Sequence, residues 1–346
     1  MKKNKKIKTI FKMKTLIPAI IIFLLLFSCD KKKETIDNSK QTIDIESEYV
    51  KDTLYKKGDA RRYGVYPNKP VNGKYLNAII ALADKGEQIT FPKGHYNIRF
   101  YLKGVTDAKF IFEDAIFGAL YVIEKDSITS NKIELKGKIT VLDKLFIRKS
   151  SNINFEEVLV KTDTSKSIKH KKNRGVSIYI GAKNIHFNYL EIKNTGGGNN
   201  PYFKEVAAAL QVHGWNNNPE NVTIDELKIS DVARSAVYLT GNNHNIKKAT
   251  ITNYGFGSNK GLAGLGDADK KDVNKFTGFW INKCNFSNID SLVINTQPNK
   301  GKYSLHLGLG ISANPTFISN IHFNSNAKKL PIKTDKFTNV LVENEY

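Results

Sequence analysis

The chain has 346 residues, which is enough for one large domain or two small ones. Its two cysteines, Cys29 and Cys284, exclude a disulfide-rich scaffold, and no dense Cys/His cluster of the zinc type is present. The formal net charge of +21 favours an anionic partner. Charge alone is a weak sign of nucleic-acid binding, and no motif of a known nucleic-acid module accompanies it, so we expect no nucleic-acid partner.

The N-terminal residues have the order of an export signal. A lysine-rich run, Lys2 to Lys14, precedes the apolar stretch from Leu16 to Phe27, which is too short to span a bilayer comfortably. The following "LFSC" resembles the lipobox of bacterial lipoproteins. This resemblance implies a signal peptide over residues 1–28, a lipid on Cys29, and an exported protein held at the outer membrane, facing the periplasm or the cell exterior. An uncleaved signal anchor is the alternative.

The polar, charge-mixed residues 29–58 predict a flexible tether, and residues 59–346 a single domain. Near the start of this domain, residues 61–98 resemble the entry segment of the family named below. That resemblance implies a short helix around residues 73–85 and a turn at "FPKGHY" (91–96) into the first coil.

Four segments of the domain share alternating apolar positions that end in Asn or Asp. They are "IHFNYLEIKN" (185–194), "VTIDELKISD" (222–231), "HNIKKATITN" (244–253) and "FWINKCNFSN" (279–288). Alternation with period two predicts short strands, and a repeat this short must stack on its neighbours to bury its apolar face. The pattern places Cys284 at the same inward position as Leu190, Leu227 and Ala249, which indicates an ordinary core cysteine.

The final residues of these segments, Asn194, Asp231, Asn253 and Asn288, predict a stack of polar side chains at one turn. With the helix and turn near residues 73–96, this stack resembles the pectin-lyase-like superfamily. The resemblance implies an all-β fold, a single-stranded right-handed parallel β-helix solenoid with a short N-terminal capping helix. It implies no single activity, because that superfamily contains lyases, hydrolases, epimerases and binding proteins.

A second strand follows each polar turn: "GVSIYIGA" (175–182), "AAALQVHG" (207–214) and "SAVYLTG" (235–241). Insertions fall between turn and strand at residues 163–174, 195–206 and 254–276, and stacking predicts that these loops wall one groove. Alternation along the second strands predicts one outward file of Tyr179, Gln211 and Tyr238, and another of His213 and Thr240. Trp280, Asn282 and His306 extend these files.

Aromatic and amide side chains on a rigid sheet suit sugar rings, so we predict that the groove binds an acidic polysaccharide, either uronate-containing or sulfated. The predicted substrate-binding residues are Tyr179, Gln211, Tyr202, Trp280, Lys171, Lys172 and Arg174. Each aromatic residue could instead pack beneath a loop, and the lysines could simply be solvated.

The leading hypothesis for the chemistry is a polysaccharide lyase that works by β-elimination. Arg234, just before a strand of small residues, would neutralise the uronate carboxylate, because a guanidinium pairs bidentately with carboxylates. Tyr238, His213 and Lys204 are the candidates for base and acid. A structural ion pair with Asp231 or Glu205 is the alternative for Arg234.

Two further hypotheses remain open. Asp267 and Asp269 could be the acids of a glycoside hydrolase acting on a sulfated galactan, or could bind calcium together with Asp272, or could form a solvated turn. The protein could also be a non-catalytic glycan-binding surface protein. We expect a monomer and no cofactor, with calcium as the one alternative.

Overall fold

The structure, a computed structural model, describes residues 46–163, 165, 173–196, 208–255, 276–297 and 301–346. Almost all of its regular structure is β. The strands are β1 (Ile89–Phe91), β2 (Gly94–Lys103), β3 (Thr106–Ile123), β4 (Ser130–Arg148), β5 (Ser150–Val160), β6 (Gly175–Tyr179), β7 (Lys183–Lys193), β8 (Ala208–His213), β9 (Glu220–Val232), β10 (Ser235–Asn242), β11 (Asn245–Tyr254), β12 (Thr277–Asn285), β13 (Asn288–Asn295), β14 (Tyr303–Leu307), β15 (Thr316–Phe323), β16 (Lys333–Thr334) and β17 (Val340–Glu345).

The described helices are short. A 3₁₀ helix (Ala60–Tyr63) precedes α1 (Gly73–Ala83), and α2 (Ser325–Lys328) follows β15. The Asn72 side chain begins α1 by accepting a hydrogen bond from the backbone N–H of Lys74. The helix buries Leu76, Ile79 and Leu82 and packs against β1 and β3.

Within the described residues, no helix has the length and apolar character needed to cross a membrane.

All pairings between these strands are parallel and form two ladders. The front ladder pairs β2, β3, β4, β6, β8, β10, β12, β14 and β16 in that order. The rear ladder continues from β4 through β5, β7, β9, β11, β13, β15 and β17. The long strands β3 and β4 run through both ladders, since their first halves pair at the rear and their second halves at the front.

The prediction of an open right-handed β-helix solenoid of the pectin-lyase type is wrong. Because β4 pairs with both β5 and β6, and β9 pairs with β10 through Glu220 and Asn242, seven parallel strands close a ring. These strands are β4, β5, β7, β9, β10, β8 and β6. The fold is therefore a closed parallel β-barrel with extra strands. Local periodicity revealed the strands, but closure depends on pairings between distant segments, which periodicity does not encode.

The predicted register of the repeats holds for three of the four segments. Leu190, Leu227 and Ala249 are neighbours across β7, β9 and β11, as predicted. The placement of Cys284 in this row is wrong, because Leu292 of β13 occupies it. Cys284 lies in the front ladder opposite Gly241 and is fully buried, so it is a core residue at a different position.

The predicted polar turn is also present in part. Asn194, Asp231 and Asn253 have φ values of 55°, 54° and 56°, in the left-handed region that Asn and Asp tolerate better than most residues. Asn253 donates a hydrogen bond of 2.6 Å to the Asp231 carboxylate. Asn288 is not a member of this row, because it begins β13 opposite Asn245.

The sequence did not predict a second polar stack at the opposite end of the rear strands. It consists of four asparagines in a row. Asn152 donates a 2.7 Å hydrogen bond to Asn131, Asn184 donates one of 2.9 Å to Asn152, and Asn221 donates one of 2.9 Å to Asn184. These bonds satisfy polar turn groups from one strand to the next.

Contacts with the N-terminal part of the domain begin before residue 59. Glu46 is buried and accepts hydrogen bonds from Arg62 at 2.7 Å and from the Tyr63 hydroxyl at 3.0 Å. Tyr66 donates to Asp52 at 2.7 Å. The last part of the predicted tether therefore packs against the domain. Residues 1–45, including the predicted signal peptide and Cys29, lie outside the described residues.

An aromatic cluster fills the core near the N-terminal end. Its fully buried rings are Phe91, Tyr96, Phe100, Phe110, Phe112 and Phe117. Phe91 stacks on Phe112 with 5.3 Å between ring centroids, and Tyr96 stacks on Phe117 at 5.3 Å. Farther along, Phe155 stacks on Phe187 at 4.6 Å. Since strand pairing fixes the backbone, each ring fills a space of fixed shape.

We expect Phe117→Ala to lower the free energy of unfolding by about 3–5 kcal/mol, because it removes a ring from this packed cluster and leaves a cavity. Chemical denaturation of the full chain measures the change. Phe337→Ala is the matched control, since that ring is 68% exposed and its loss should change stability little. Equal destabilisation by the two variants would contradict the cluster's role.

Candidate functional site

The front ladder places a file of side chains along its outer surface. Register puts the following residues side by side: Tyr101, Tyr121, Phe146, Ser177, Gln211, Tyr238, Trp280 and His306. A neighbouring file, two residues further along the strands, includes Tyr179 and His213. The predicted file of Tyr179, Gln211 and Tyr238 is therefore wrong in its first member. The prediction that Trp280 and His306 extend these files is confirmed, since both lie in the row of Tyr238, whereas Asn282 has no partner in the register of β10 and β12.

The aromatic members of these two files form one continuous chain of rings, which we call the ring ribbon. Its centroid distances are Tyr101–Tyr121 4.5 Å, Tyr121–Phe146 6.1 Å, Phe146–Tyr179 6.0 Å, Tyr179–His213 6.0 Å, His213–Tyr238 5.4 Å, Tyr238–Trp280 4.5 Å and Trp280–His306 4.7 Å. The ribbon crosses eight strands, so at the usual strand spacing it is about 34 Å long. All its members except His306 are partly exposed.

Trp215 extends the ring ribbon outward and was not among the predicted site residues. Its indole is 68% exposed, lies 5.2 Å from the His213 ring and donates a 2.5 Å hydrogen bond to the Tyr179 hydroxyl. Its φ of 59° is uncommon for a bulky residue. A large exposed ring on a strained turn contributes little to the core, and this combination is the signal that marks it as a candidate binding residue.

Cations lie over the rings at the N-terminal end of the ribbon. They were not among the predicted site residues. The Lys103 ammonium is 4.6 Å from the Tyr101 ring centroid, and that of Lys144 is 4.2 Å from the Phe146 ring. The Arg148 guanidinium lies 6.0 Å from the same Phe146 ring. These contacts hold positive charge directly beside a surface of aromatic faces.

Arg174, predicted as a substrate-binding cation, is engaged in an ion pair. Its guanidinium donates two hydrogen bonds to Asp143, at 2.9 and 2.6 Å, and its side chain is only 16% exposed. Burial lowers the pKa of Arg174, but the hydrogen bonds and charge of Asp143 outweigh it and raise the pKa above its ordinary value. Arg174 therefore supports the wall of the site through Asp143.

His213 and Tyr238 lie side by side at the middle of the ribbon. Burial lowers the pKa of His213, and the positive charge of Lys283 lowers it further. Burial raises the pKa of Tyr238, while a hydrogen bond from Asn282 partly opposes the rise. Both groups are therefore uncharged at neutral pH. His213 Nδ1 is buried and has no hydrogen-bond partner within the described part of the chain.

Arg234 stands at the bend before β10. Its guanidinium lies 5.9 Å from the Phe276 ring, and its backbone carbonyl accepts a 3.0 Å hydrogen bond from Gly255. It lies four positions before Tyr238, which in extended chain corresponds to about 13 Å between Cα atoms. Its contacts with described residues do not include Tyr238 or His213. Arg234 therefore does not directly contact the two residues that were predicted to act with it.

The ribbon ends at His306, which is 4% exposed and stacked on Trp280. Its Nε2 lies 3.2 Å from an Asp335 carboxylate oxygen, and Lys333 contacts the other oxygen at 3.5 Å. Burial lowers the pKa of His306, although Asp335 opposes the effect. The packed imidazole holds the Trp280 ring in place.

The other predicted site residues, namely Tyr202, Lys204, Lys171, Lys172, Asp267, Asp269 and Asp272, lie outside the described residues, as do most of the three predicted loops. The hydrolase and calcium hypotheses therefore stay predictions. Among the residues that the structure does describe, no group of three or more His, Cys, Asp or Glu side chains is placed to hold a metal ion. Burial raises the pKa of the Cys284 thiol to about 11, which excludes a thiolate nucleophile there at neutral pH.

We expect Lys283→Ala to raise the pKa of His213 toward its ordinary value, because the substitution removes a nearby positive charge. NMR titration of the imidazole resonances measures this shift. Lys247→Ala is the control, since Lys247 pairs with Asp225 in the rear ladder. An unchanged His213 titration in Lys283→Ala would show that burial alone sets its pKa.

Comparison of the chain with protein-family models, with characterised proteins and with solved structures gives no match. The arrangement of the ring ribbon, its cations and the His213–Tyr238 pair is thus the basis for a functional assignment.

Proposed function

We propose that the protein binds an acidic polysaccharide lengthwise along the ring ribbon and cleaves it by β-elimination at His213 and Tyr238. The observation that carries this proposal is the unbroken chain of ring contacts from Tyr101 to His306. Sugar rings present apolar faces that pack on aromatic side chains, and a ribbon of about 34 Å offers contacts to several successive sugar units.

The cations support an acidic ligand. Lys103 and Lys144 hold their ammonium groups over rings of the ribbon, so a sugar that packs on these rings brings its carboxylate or sulfate beside a positive charge. The formal net charge is +21, and it stays at +14 after loss of the seven lysines of the predicted signal peptide, so it would also speed encounter with a polyanion.

The His213–Tyr238 pair has the groups that β-elimination requires. One member takes the proton from the carbon beside the uronate carboxyl group, and the electrons of that C–H bond form the new C=C bond. The glycosidic C–O bond on the adjacent carbon breaks, and the leaving oxygen takes a proton from the other member. Proton exchange through solvent then restores both groups. Neutral His213 and protonated Tyr238 can serve these steps at neutral pH.

Arg234 is proposed to neutralise the carboxylate of the reacting sugar. It lies at the bend just before β10, four positions ahead of Tyr238, so a polymer bound along this strand would pass near it. Pairing a guanidinium with the carboxylate lowers the energy of the enediolate that forms as the proton leaves.

A second candidate is a non-catalytic glycan-binding protein. It is favoured by the separation of Arg234 from the His213–Tyr238 pair, because a lyase needs the carboxylate and the acidic proton of one sugar to meet both groups. The ring ribbon would bind the polymer equally well in either case. The two candidates differ only in whether bonds are broken.

The proposal predicts that the full chain produces unsaturated uronate ends from one polymer in a panel of alginate, pectate, glycosaminoglycans and ulvan. Ultraviolet absorbance of the conjugated product follows the reaction. We expect His213→Ala and Tyr238→Phe to reduce kcat about 10²- to 10⁴-fold, as for other acid–base groups, and to leave polymer binding in place. Trp215→Ala should weaken binding instead.

Binding of a panel polymer without any new absorbance would establish the non-catalytic candidate. New reducing ends without absorbance would indicate hydrolysis. A chain that neither binds nor cleaves any of these polymers, or the sulfated carrageenans, would contradict the proposal as a whole.

We expect Arg234→Ala to abolish turnover, because the guanidinium no longer neutralises the substrate carboxylate, and to leave Tm nearly unchanged. Thermal unfolding and the absorbance assay measure the two effects, with Lys247→Ala as a control on the rear ladder. A large fall in Tm would instead indicate a structural ion pair.

A further inference from the structure

A β-bulge in β12 lies beside the His213–Tyr238 pair. Ile281 is opposite Leu239 of β10, but the next paired residue, Cys284, is opposite Gly241. Two residues of β12, Asn282 and Lys283, therefore face the single residue Thr240. Lys283 has a φ of 50°, which is the local adjustment that admits the extra residue. Bulges redirect side chains and are frequent beside active sites.

The bulge aims Asn282 at Tyr238. The Asn282 side-chain amide donates a 3.0 Å hydrogen bond to the Tyr238 hydroxyl oxygen. Gly308 of the adjacent chain segment is packed closely against this part of β12, because a Cβ atom there would lie 2.4 Å from the Ile281 carbonyl oxygen and 3.0 Å from both the Cα and the Oδ1 of Asn282. A side chain at position 308 would displace the amide.

The direction of this hydrogen bond decides what the tyrosine can do. A phenol that accepts a hydrogen bond from Asn282 keeps its own O–H hydrogen for another acceptor. In the described part of the chain, no residue accepts that hydrogen. The hydroxyl is therefore held with its proton available to a ligand atom on the ring ribbon.

We propose that the bulge assigns the two proton-transfer roles: Asn282 is a positioning residue that makes Tyr238 the proton donor to the leaving oxygen, which leaves His213 as the base. This assignment rests on the proposed lyase function. The C–H proton of the sugar passes to the His213 imidazole, and the glycosidic oxygen leaves with the Tyr238 proton. The resulting imidazolium and phenolate exchange a proton through solvent.

The environment of both groups supports this direction. Donation from Asn282 stabilises the phenolate that forms when Tyr238 gives up its proton, and it lowers the pKa that burial raises. Lys283, the second residue of the bulge, lowers the pKa of His213 and so keeps the base neutral. The reverse assignment needs a phenolate and an imidazolium before reaction, and burial disfavours both charged forms.

Two substitutions, one of them isosteric, separate positioning from mere packing. Asn282→Ala removes the donor, so the pKa of Tyr238 should rise. Asn282→Asp puts an acceptor in its place, which captures the phenol hydrogen and repels the phenolate, so the rise should be larger. NMR titration of the full chain labelled with ¹³C at the tyrosine Cζ measures both shifts without any polymer. Asn320→Ala, an exposed amide of the rear ladder, is the control.

The same variants are assayed with whichever panel polymer the unchanged chain cleaves. We expect kcat to fall about tenfold or more for Asn282→Ala and further for Asn282→Asp, with KM little changed. Because the donor must be protonated, the alkaline limb of the rate–pH profile should move to higher pH in Asn282→Ala.

The outcomes distinguish this assignment from the proposed function. If the unchanged chain cleaves a polymer but Asn282→Asp titrates and turns over like Asn320→Ala, the positioning role is overturned and the lyase function stands. If Asn282→Asp is more active than Asn282→Ala, Tyr238 is not the proton donor. If the unchanged chain cleaves no polymer, the lyase function and this role are both overturned.

Discussion

The in-register parallel pairing of the front ladder is the constraint on which the rest of the site depends. Backbone hydrogen bonds hold successive strands about 4.8 Å apart, so equivalent outward side chains stack in files. This spacing is what allows Tyr101 to stack on Tyr121 at 4.5 Å and Trp280 on His306 at 4.7 Å. Each ring then restricts the rotamers of the next. The ring ribbon is therefore prearranged by the backbone, and a ligand that binds it has little ordering to impose on the protein.

The same stacking sets the electrostatics of the site. Rings packed on both sides bury His213 and Tyr238 enough to lower the pKa of one and raise that of the other, so both are uncharged at neutral pH. At the N-terminal end, the ammonium groups of Lys103 and Lys144 lie over ring faces. The ribbon thus combines a charged segment suited to holding an anion with a neutral, partly desolvated segment suited to proton transfer.

Much of the local structure could be predicted from the sequence, and the long-range relations could not. Alternation of apolar residues located the strands and set Leu190, Leu227 and Ala249 in one row, because inward positions repeat with period two. The row of Tyr238, Trp280 and His306 follows from the same rule. Closure of the barrel through Glu220 and Asn242, and the pairing of Arg174 with Asp143, join segments that no local pattern relates. Tyr179 was predicted in the file of Gln211 but lies in that of His213. How far β6 is shifted along β8 depends on both strands together, so the sequence of one strand does not reveal it.

The misplacement of Cys284 and the role proposed for Asn282 have one physical origin. Segment 279–288 has the same spacing as segment 185–194, with two residues between the second and third apolar positions. In β7 the partner strand β9 has two residues there as well, so pairing continues without a bulge: Phe187 pairs with Ile224 and Leu190 with Leu227. In β12 the partner β10 has only Thr240 at that point, so the same spacing becomes a bulge that turns Asn282 toward Tyr238. A bulge is a difference between two strands, and a single strand's sequence does not contain it. The residue that this difference redirects therefore becomes visible only when both strands are seen together.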